Sequence, residues 1–230
     1  DRIDSMDVFI DQDDPLLQVP SAYQQMNLMQ KVKFAPNQHW SFEYAFHYSE
    51  TSSYGRYDRH NRMKNGAPRY GQWDYGPQKW MMNLFTISHL QKTFMYDQMS
   101  IRLAQQSFEE SRISRSLNSV NRKIRMEEVE AYSANVDFSK ALGSRNNLFY
   151  GVEYVMNDVN STGLNENIIS NTTTQGPSRY PQSSWQTLGI YLNDEHKITE
   201  DFTIQAGIRY THYLLDASFD TSFFPFPFTE

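Results

Sequence analysis

In residues 40–49, Trp-Ser-Phe-Glu-Tyr-Ala-Phe-His-Tyr-Ser, every second residue is aromatic. A helix would scatter Trp40, Phe42, Tyr44, Phe46 and Tyr48 around its circumference, whereas a strand sets all five on one face. The other face carries Glu43 and His47 between small residues. A strand of this kind separates two environments, one apolar and one wet.

The pattern recurs along the chain. Val32 and Phe34 oppose Lys31 and Lys33. Trp80, Met82 and Leu84 alternate with Met81, Asn83 and Phe85, and Met99, Ile101 and Leu103 with Ser100, Arg102 and Ala104. Tyr132, Ala134, Val136 and Phe138 oppose Ser133, Asn135 and Asp137. Leu148, Tyr150, Val152 and Tyr154 oppose Gly151 and Glu153, and Leu188, Ile190 and Leu192 oppose Gly189 and Asn193. Phe202, Ile204, Ala206, Ile208 and Tyr210 oppose Thr203, Gln205, Gly207 and Arg209. These runs predict about eight strands, most near the ~9–11 residues that a tilted strand needs to cross a bilayer.

The connections alternate in length. Short ones are expected at 36–38, 91–97, 140–146 and 196–201, and long polar ones near 50–78, 113–124, 158–184 and 217–230. Outer-membrane barrels have short periplasmic turns and long extracellular loops. The expected fold is therefore all-β, an antiparallel up-and-down transmembrane barrel portion, with residues 25–230 as partial barrel and 1–24 as an acidic extracellular loop segment. Closure satisfies the backbone polar groups that lipid cannot. Tyr48, Tyr132, Tyr154 and Tyr210 are expected in interfacial girdles, and Ile204 on the lipid face, where a charge near the midplane costs about 2–4 kcal/mol.

Composition agrees and excludes other classes. Tyr, Phe and Trp make up 15% of a chain whose mean hydropathy is only -0.70, as expected when every second strand residue is polar. There is no Cys, hence no thiol nucleophile and no disulfide framework. A net charge of -6 argues against nucleic acid as a partner. The motifs G-x-S-x-G, H-E-x-x-H, G-x-x-x-x-G-K-[ST] and G-x-G-x-x-G do not occur, so no enzyme activity, cofactor or resident metal is expected. The run Asp11–Asp14 fails as a calcium loop, because Leu16 stands where a glycine is needed and Ala22 where the bidentate glutamate is needed. The chain begins at Asp1 and ends in an aromatic-proline stretch, from which a piece of a longer chain is expected.

The candidate ligand-contacting residues lie in the first long connection: Arg56, Tyr57, Arg59, His60, Arg69, Tyr70, Trp73 and Tyr75. Arginine gives charge-assisted bonds to carboxylates and aromatics stack on planar ligands. His60 is the candidate imidazole ligand for iron. The alternative is that these side chains pack the loop on itself and meet lipopolysaccharide phosphates. Glu109, Glu110, Arg112 and Arg115 are expected to pair along and across strands.

The segment Leu188-Gly-Ile-Tyr-Leu-Asn-Asp-Glu195, a short turn, then Phe202-Thr-Ile-Gln-Ala-Gly-Ile-Arg-Tyr210 resembles a hairpin of TonB-dependent outer-membrane receptors, and Tyr150-Gly-Val-Glu153 is similar to another of their strands. Arg56-Tyr-Asp-Arg59, Tyr75-Gly-Pro-Gln78, Glu110-Ser-Arg112 with Arg115, and Phe224-Pro-Phe-Pro-Phe228 look like the haem/haemoglobin-receptor branch in Bacteroidota style. The resemblance covers about residues 25–230. It implies about eight strands of a larger barrel of about 22, with an N-terminal plug. It also implies location in the bacterial outer membrane, contact with its lipid and lipopolysaccharide, and a TonB-type energy-transducing complex as partner through the plug. The function it implies is uptake of an iron chelate, haem or a haemoprotein ligand. The alternatives are a glycan or peptide importer with a surface lipoprotein partner, or an adhesive or structural barrel without transport.

Overall fold

The computed structural model describes residues 2–8, 10 and 13–224. Asp11 and Gln12 of the acidic run, and the Phe-Pro stretch from 225 on, lie outside the described residues. Eight long strands carry the fold: β1 (Gln25–Phe34), β2 (Trp40–Thr51), β3 (Lys79–Leu90), β4 (Gln98–Ser116), β5 (Asn121–Leu142), β6 (Asn146–Asn167), β7 (Gln182–Lys197) and β8 (Thr203–Ser218). Each pairs antiparallel with the next, in the order β1 to β8, with no crossover. This is an open portion of an up-and-down barrel wall.

Register settles which residues share a face. One row across all eight strands reads Phe34, Phe42, Ile87, Ile101, Val136, Val152, Ile190, Tyr210. The row one residue away reads Lys33, Glu43, Thr86, Arg102, Asn135, Glu153, Gly189, Thr211. The period of two is thus aligned between strands, giving one apolar face and one polar face. On β3, however, Phe85 and Ile87 join the apolar face, and Trp80, Met82 and Leu84, expected there from the sequence, lie on the polar one, because Leu84 is held opposite Ala45 and Ala104. A one-residue slip in any pairing would have reversed that strand. On the polar face Lys31 meets Glu43 at 2.7 Å, Arg102 meets Asp137 at 2.7 Å and Arg209 meets Glu153 at 2.6 Å. The Tyr191 hydroxyl donates to Asp137 at 2.6 Å.

The wall has no apolar core of its own. Ala45, at 7% exposure, is the buried apolar residue of the described chain, while Phe85, Leu103, Val152, Ile190 and Ile208 lie open on the apolar face. A soluble sandwich would bury that face against a second layer. In a transmembrane barrel, lipid is the layer that covers such a face.

Where the apolar face stops is also visible. On β5, Tyr132 is followed upward by Glu130 and Glu128, and on β6, Tyr154 and Met156 by Asp158. Tyr210, expected at a strand end, lies mid-strand in β8, because that strand runs on to Ser218. At the opposite end an aromatic ladder closes the band: Trp40 stacks on His89 at 4.1 Å, and Tyr96, Phe138 and Tyr150 continue it at 5.3 and 5.1 Å.

The short connections fall at 35–39, 91–97, 143–145 and 198–202, as expected. In the first, Asn37 Oδ1 accepts from the backbone N–H of His39 and Trp40, closing a side-chain turn. The long connections differ from expectation. Residues 113–124 hold a four-residue turn, 117–120, at the tip of the β4–β5 hairpin, and much of 158–184 is strand. β5 and β6 have 22 residues each, about twice what a bilayer needs, so each hairpin stands about 35 Å beyond the apolar band. The connection 52–78 folds on itself, through Tyr54–Gly55, a one-turn helix Tyr57–His60, a small hairpin turning at Asn65–Gly66 and a strand Tyr70–Tyr75.

The segment 1–24 contains more than a solvated acidic loop. Residues Arg2–Ile3 and Met6–Asp7 form a small hairpin. Asp7 is clasped by Arg115 in two bonds of 2.8 Å and accepts the Asn118 backbone N–H. Both side chains of the pair are nearly enclosed, 7% and 5% exposed. An acid was needed there because Arg115 projects between the hairpin tip and the folded connection, where a lone cation would be buried unpaired.

Candidate functional site

The strand Tyr70–Tyr75 continues the edge that β3 leaves. β3 pairs with β4 up to Glu109, and from Arg112 to Ser116 the partner of β4 is Tyr75 back to Tyr70. Gly76 makes the handover. Its φ of +92° is a conformation that side chains disfavour, its N–H donates to Ser111 O at 3.0 Å, and Ser111 Oγ donates back to Gly76 O at 2.6 Å. The exchange puts Tyr75 opposite Arg112 and Trp73 opposite Ser114, on the polar face of the sheet at its long-hairpin end.

Four of the eight candidate residues come together there. Arg56 lies over Trp73 at 5.2 Å and over Tyr75 at 5.5 Å, and Arg59 lies over Trp73 at 5.6 Å. Trp73 meets Tyr75 edge-on at 4.9 Å. Arg112 stacks on the Tyr75 ring at 5.2 Å. Arg56 binds Asp58 through Nε at 2.6 Å and Nη2 at 2.7 Å, and donates to the Tyr75 hydroxyl at 2.9 Å. Those bonds from Arg56 hold the Asp58 carboxyl below the ordinary carboxylate range. The Arg56 charge is therefore already partnered, and this residue builds the loop. Tyr57 and Arg69 remain exposed, and Arg69 lies over Tyr70 at 5.1 Å.

His60 is turned away from the polar face. Its Nε2 stands 3.1 Å from Trp73 O and 3.8 Å from Asp74. It lines an outward cleft of about 620 Å³ with Arg2, Asp7, Gly71 and Arg115. Among the described residues no group of three or more His, Asp or Glu is placed to hold a metal ion.

The expected strand-end pairing is present. Lys79 meets Glu109 at 3.2 Å, Arg112 meets Glu110 at 3.7 Å and Arg115 meets Asp7. A second element of the rim was not foreseen. The connection after Thr172–Gln175 folds over the polar face of β5 and β6, where the Ser161 hydroxyl accepts the N–H groups of Arg179 and Tyr180 and Arg125 Nε donates to Pro177 O at 3.1 Å. Arg179 reaches Glu110 and Glu127 at 3.8 and 3.7 Å. Glu127 is 4% exposed, and burial raises its carboxyl above the usual range although Arg179 opposes the shift. A Cβ on Gly163 would stand 2.2 Å from Pro177 O, so this contact requires glycine. Gly163→Ala should displace residues 176–181 and cost about 1–3 kcal/mol, read as faster proteolysis of that segment and a lower Tm. The signal in the sequence was the lone glycine at a strand position, which marks close backbone approach.

Comparison with known proteins adds a family to this geometry. Three similar solved structures each align with 86% of this chain: the copper transporter OprC (TM-score 0.69, 11% identity), the ferric citrate transporter FecA in unliganded form (0.60, 15%) and P. aeruginosa FpvA bound to a heterologous ferric pyoverdine (0.57, 10%). The chain spans about 30% of the length of each. At these identities the likeness concerns the fold. No curated protein matches the sequence. The family model described as TonB dependent receptor-like, beta-barrel matches residues 8–228, nearly the whole chain, and with the two-faced meander it establishes that this chain belongs to the TonB-dependent receptor β-barrel family.

Proposed function

We propose that this chain is part of the barrel wall of a bacterial outer-membrane transporter that takes up an anionic iron chelate, haem or haem from a haemoprotein, energised by a TonB-type complex through a plug. The observation that carries the ligand reading is the arginine-aromatic cluster on the polar face at the long-hairpin end. In a barrel that face lines the lumen, and that end faces outward. Arg59 and Arg69 offer charge to carboxylates, and Tyr57 and Tyr70 offer rings to a planar ligand. Trp73 and Tyr75 hold the loop that presents them. The similar solved structures are those of a copper transporter, a ferric citrate transporter and a protein bound to a ferric pyoverdine, which supports a metal or metal chelate as the ligand. His60 has no iron-ligating role in this reading, since its Nε2 faces Trp73 O. Ligand passes inward along a wall of paired charges such as Arg102–Asp137 and Arg209–Glu153.

The test is a haem titration of the full-length receptor in detergent, followed at the Soret band, with haemoglobin pull-down on the same sample. Saturable binding is expected. Arg59→Ala and Tyr57→Ala should each weaken it about tenfold, the scale of one charged or stacking contact, with unchanged barrel assembly. No haem binding would overturn the haem assignment, and unchanged binding in both variants would overturn the role of this loop.

A further inference from the structure

The β4–β5 hairpin and the strand Tyr70–Tyr75 enclose a second cleft, of about 500 Å³, on the polar face. Its lining includes Arg69, Lys123 and Arg125, with Trp73 as an aromatic wall and Ser114 and Asn121 as neutral hydrogen-bonding groups. No carboxylate lines it. Register places these groups together. Lys123 stands opposite Ser114, which stands opposite Trp73, and Arg125 projects two residues along the same strand and face as Lys123.

The chain as a whole is acidic, and most cations of this rim are matched: Arg56 with Asp58, Lys79 with Glu109, Arg115 with Asp7 and Arg122 with Glu166. The three cations of the cleft are not matched in this way. Among the described residues the Lys123 side chain makes no hydrogen bond or ion pair, the Arg69 side chain has only the Tyr70 ring, and Arg125 uses Nε on Pro177 O and feels the charge of Glu127, while its two terminal nitrogens make no hydrogen bond. Three like charges held in one concave site repel each other, and a bound anion removes that repulsion while taking up their donors.

We propose that this cleft is an oxyanion subsite, which binds the carboxylate or phosphate groups of the ligand while Trp73 packs against its body. The proposal deepens the uptake reading and rests on it only for the identity of the natural ligand. Lys123 and Arg125 then become specificity residues, although they lie outside the loop that the sequence singled out.

The experiment uses the full-length receptor with two probes: metal-free citrate, and haem beside haem dimethyl ester, whose propionates are blocked. Citrate should raise the Tm of the wild type saturably and less so at high salt. Lys123→Gln should weaken citrate about tenfold, and Lys123→Gln with Arg125→Gln about a hundredfold. Lys123 is exposed and unpartnered, so the single variant tests the site even if the double variant fails to fold. Wild-type preference for haem over its ester should vanish in the variants. Citrate binding that Lys123→Gln abolishes, without any haem binding, would uphold the cleft and remove the haem reading. Haem and citrate binding unchanged by Lys123→Gln, or no citrate effect on the wild type, would overturn the cleft.

Discussion

Val152→Arg should abolish insertion of the full-length receptor into the outer membrane. Val152 sits in the apolar row between Val136 and Ile190, midway along the stretch Leu148–Met156 that β6 gives to that face. An arginine near the midplane of a barrel's lipid face costs about 2–4 kcal/mol, a large share of a marginal stability. The expected readout is loss of the heat-modifiable folded band and of protease resistance in membranes. Ser133→Arg, on the polar face of the neighbouring β5, should insert normally. Ile204, lipid-facing from the sequence alone, is a weaker test than first expected. It pairs with His196 beside the connection 198–202, where an arginine reaches the headgroups and costs only about 0–1 kcal/mol. Normal insertion of Val152→Arg would mean that the faces are reversed.

Breaking the Asp7–Arg115 clasp should give the second large effect. Arg115→Leu leaves Asp7 nearly enclosed with only the weaker contact to Arg2 at 3.5 Å, and Asp7→Ala strands the guanidinium instead. Removing one member of a buried pair costs about 3–5 kcal/mol, and the water-accessible cleft beside this pair argues for the lower end. Hydrogen exchange should show residues 2–8 and the turn 117–120 opening together, with the membrane-spanning rows unaffected. The pH dependence has a definite sign. Hydrogen bonds from Arg115 hold the Asp7 carboxyl below its ordinary value of 3.8, with burial opposing the shift and the Asn118 N–H adding to it. The stabilisation is therefore complete above that value and is lost as pH falls through the lowered one. The segment should stay closed at pH 5 and open only in stronger acid. Opening near neutrality would show that the pair does not hold it.

The eight spanning strands were legible because a bilayer imposes one rule on each of them separately. One face must be apolar, so a period of two is written into every strand and can be read without knowing its neighbour. The same physics explains what was illegible. Beyond the apolar band both faces of the β4–β5 and β5–β6 hairpins meet water, so no alternation is required. Residues 113–124 and 158–167 read as loops, although the backbone ladder continues through pairs such as Arg122–Glu166 and Lys123–Asn165.

The candidate site divides in a similar way. Arginine beside tyrosine and tryptophan marked the connection 54–75 correctly as a place where charge meets rings. Composition could not say which charge is already taken. Asp58 lies two residues from Arg56 and binds its guanidinium, while Lys123, distant in sequence and unremarkable, lines the same cleft as Trp73 and has no side-chain partner among the described residues. By itself the sequence determined the strands, the two faces of all of them but β3, where apolar residues stand on both sides, and the family, because these follow from local alternation and from motifs within single hairpins. Only the tertiary structure decided the register that joins eight faces into one wall, the burial of Asp7 against Arg115, and which cations remain open to a ligand. Those outcomes depend on pairing between residues far apart in the chain, which no local pattern records.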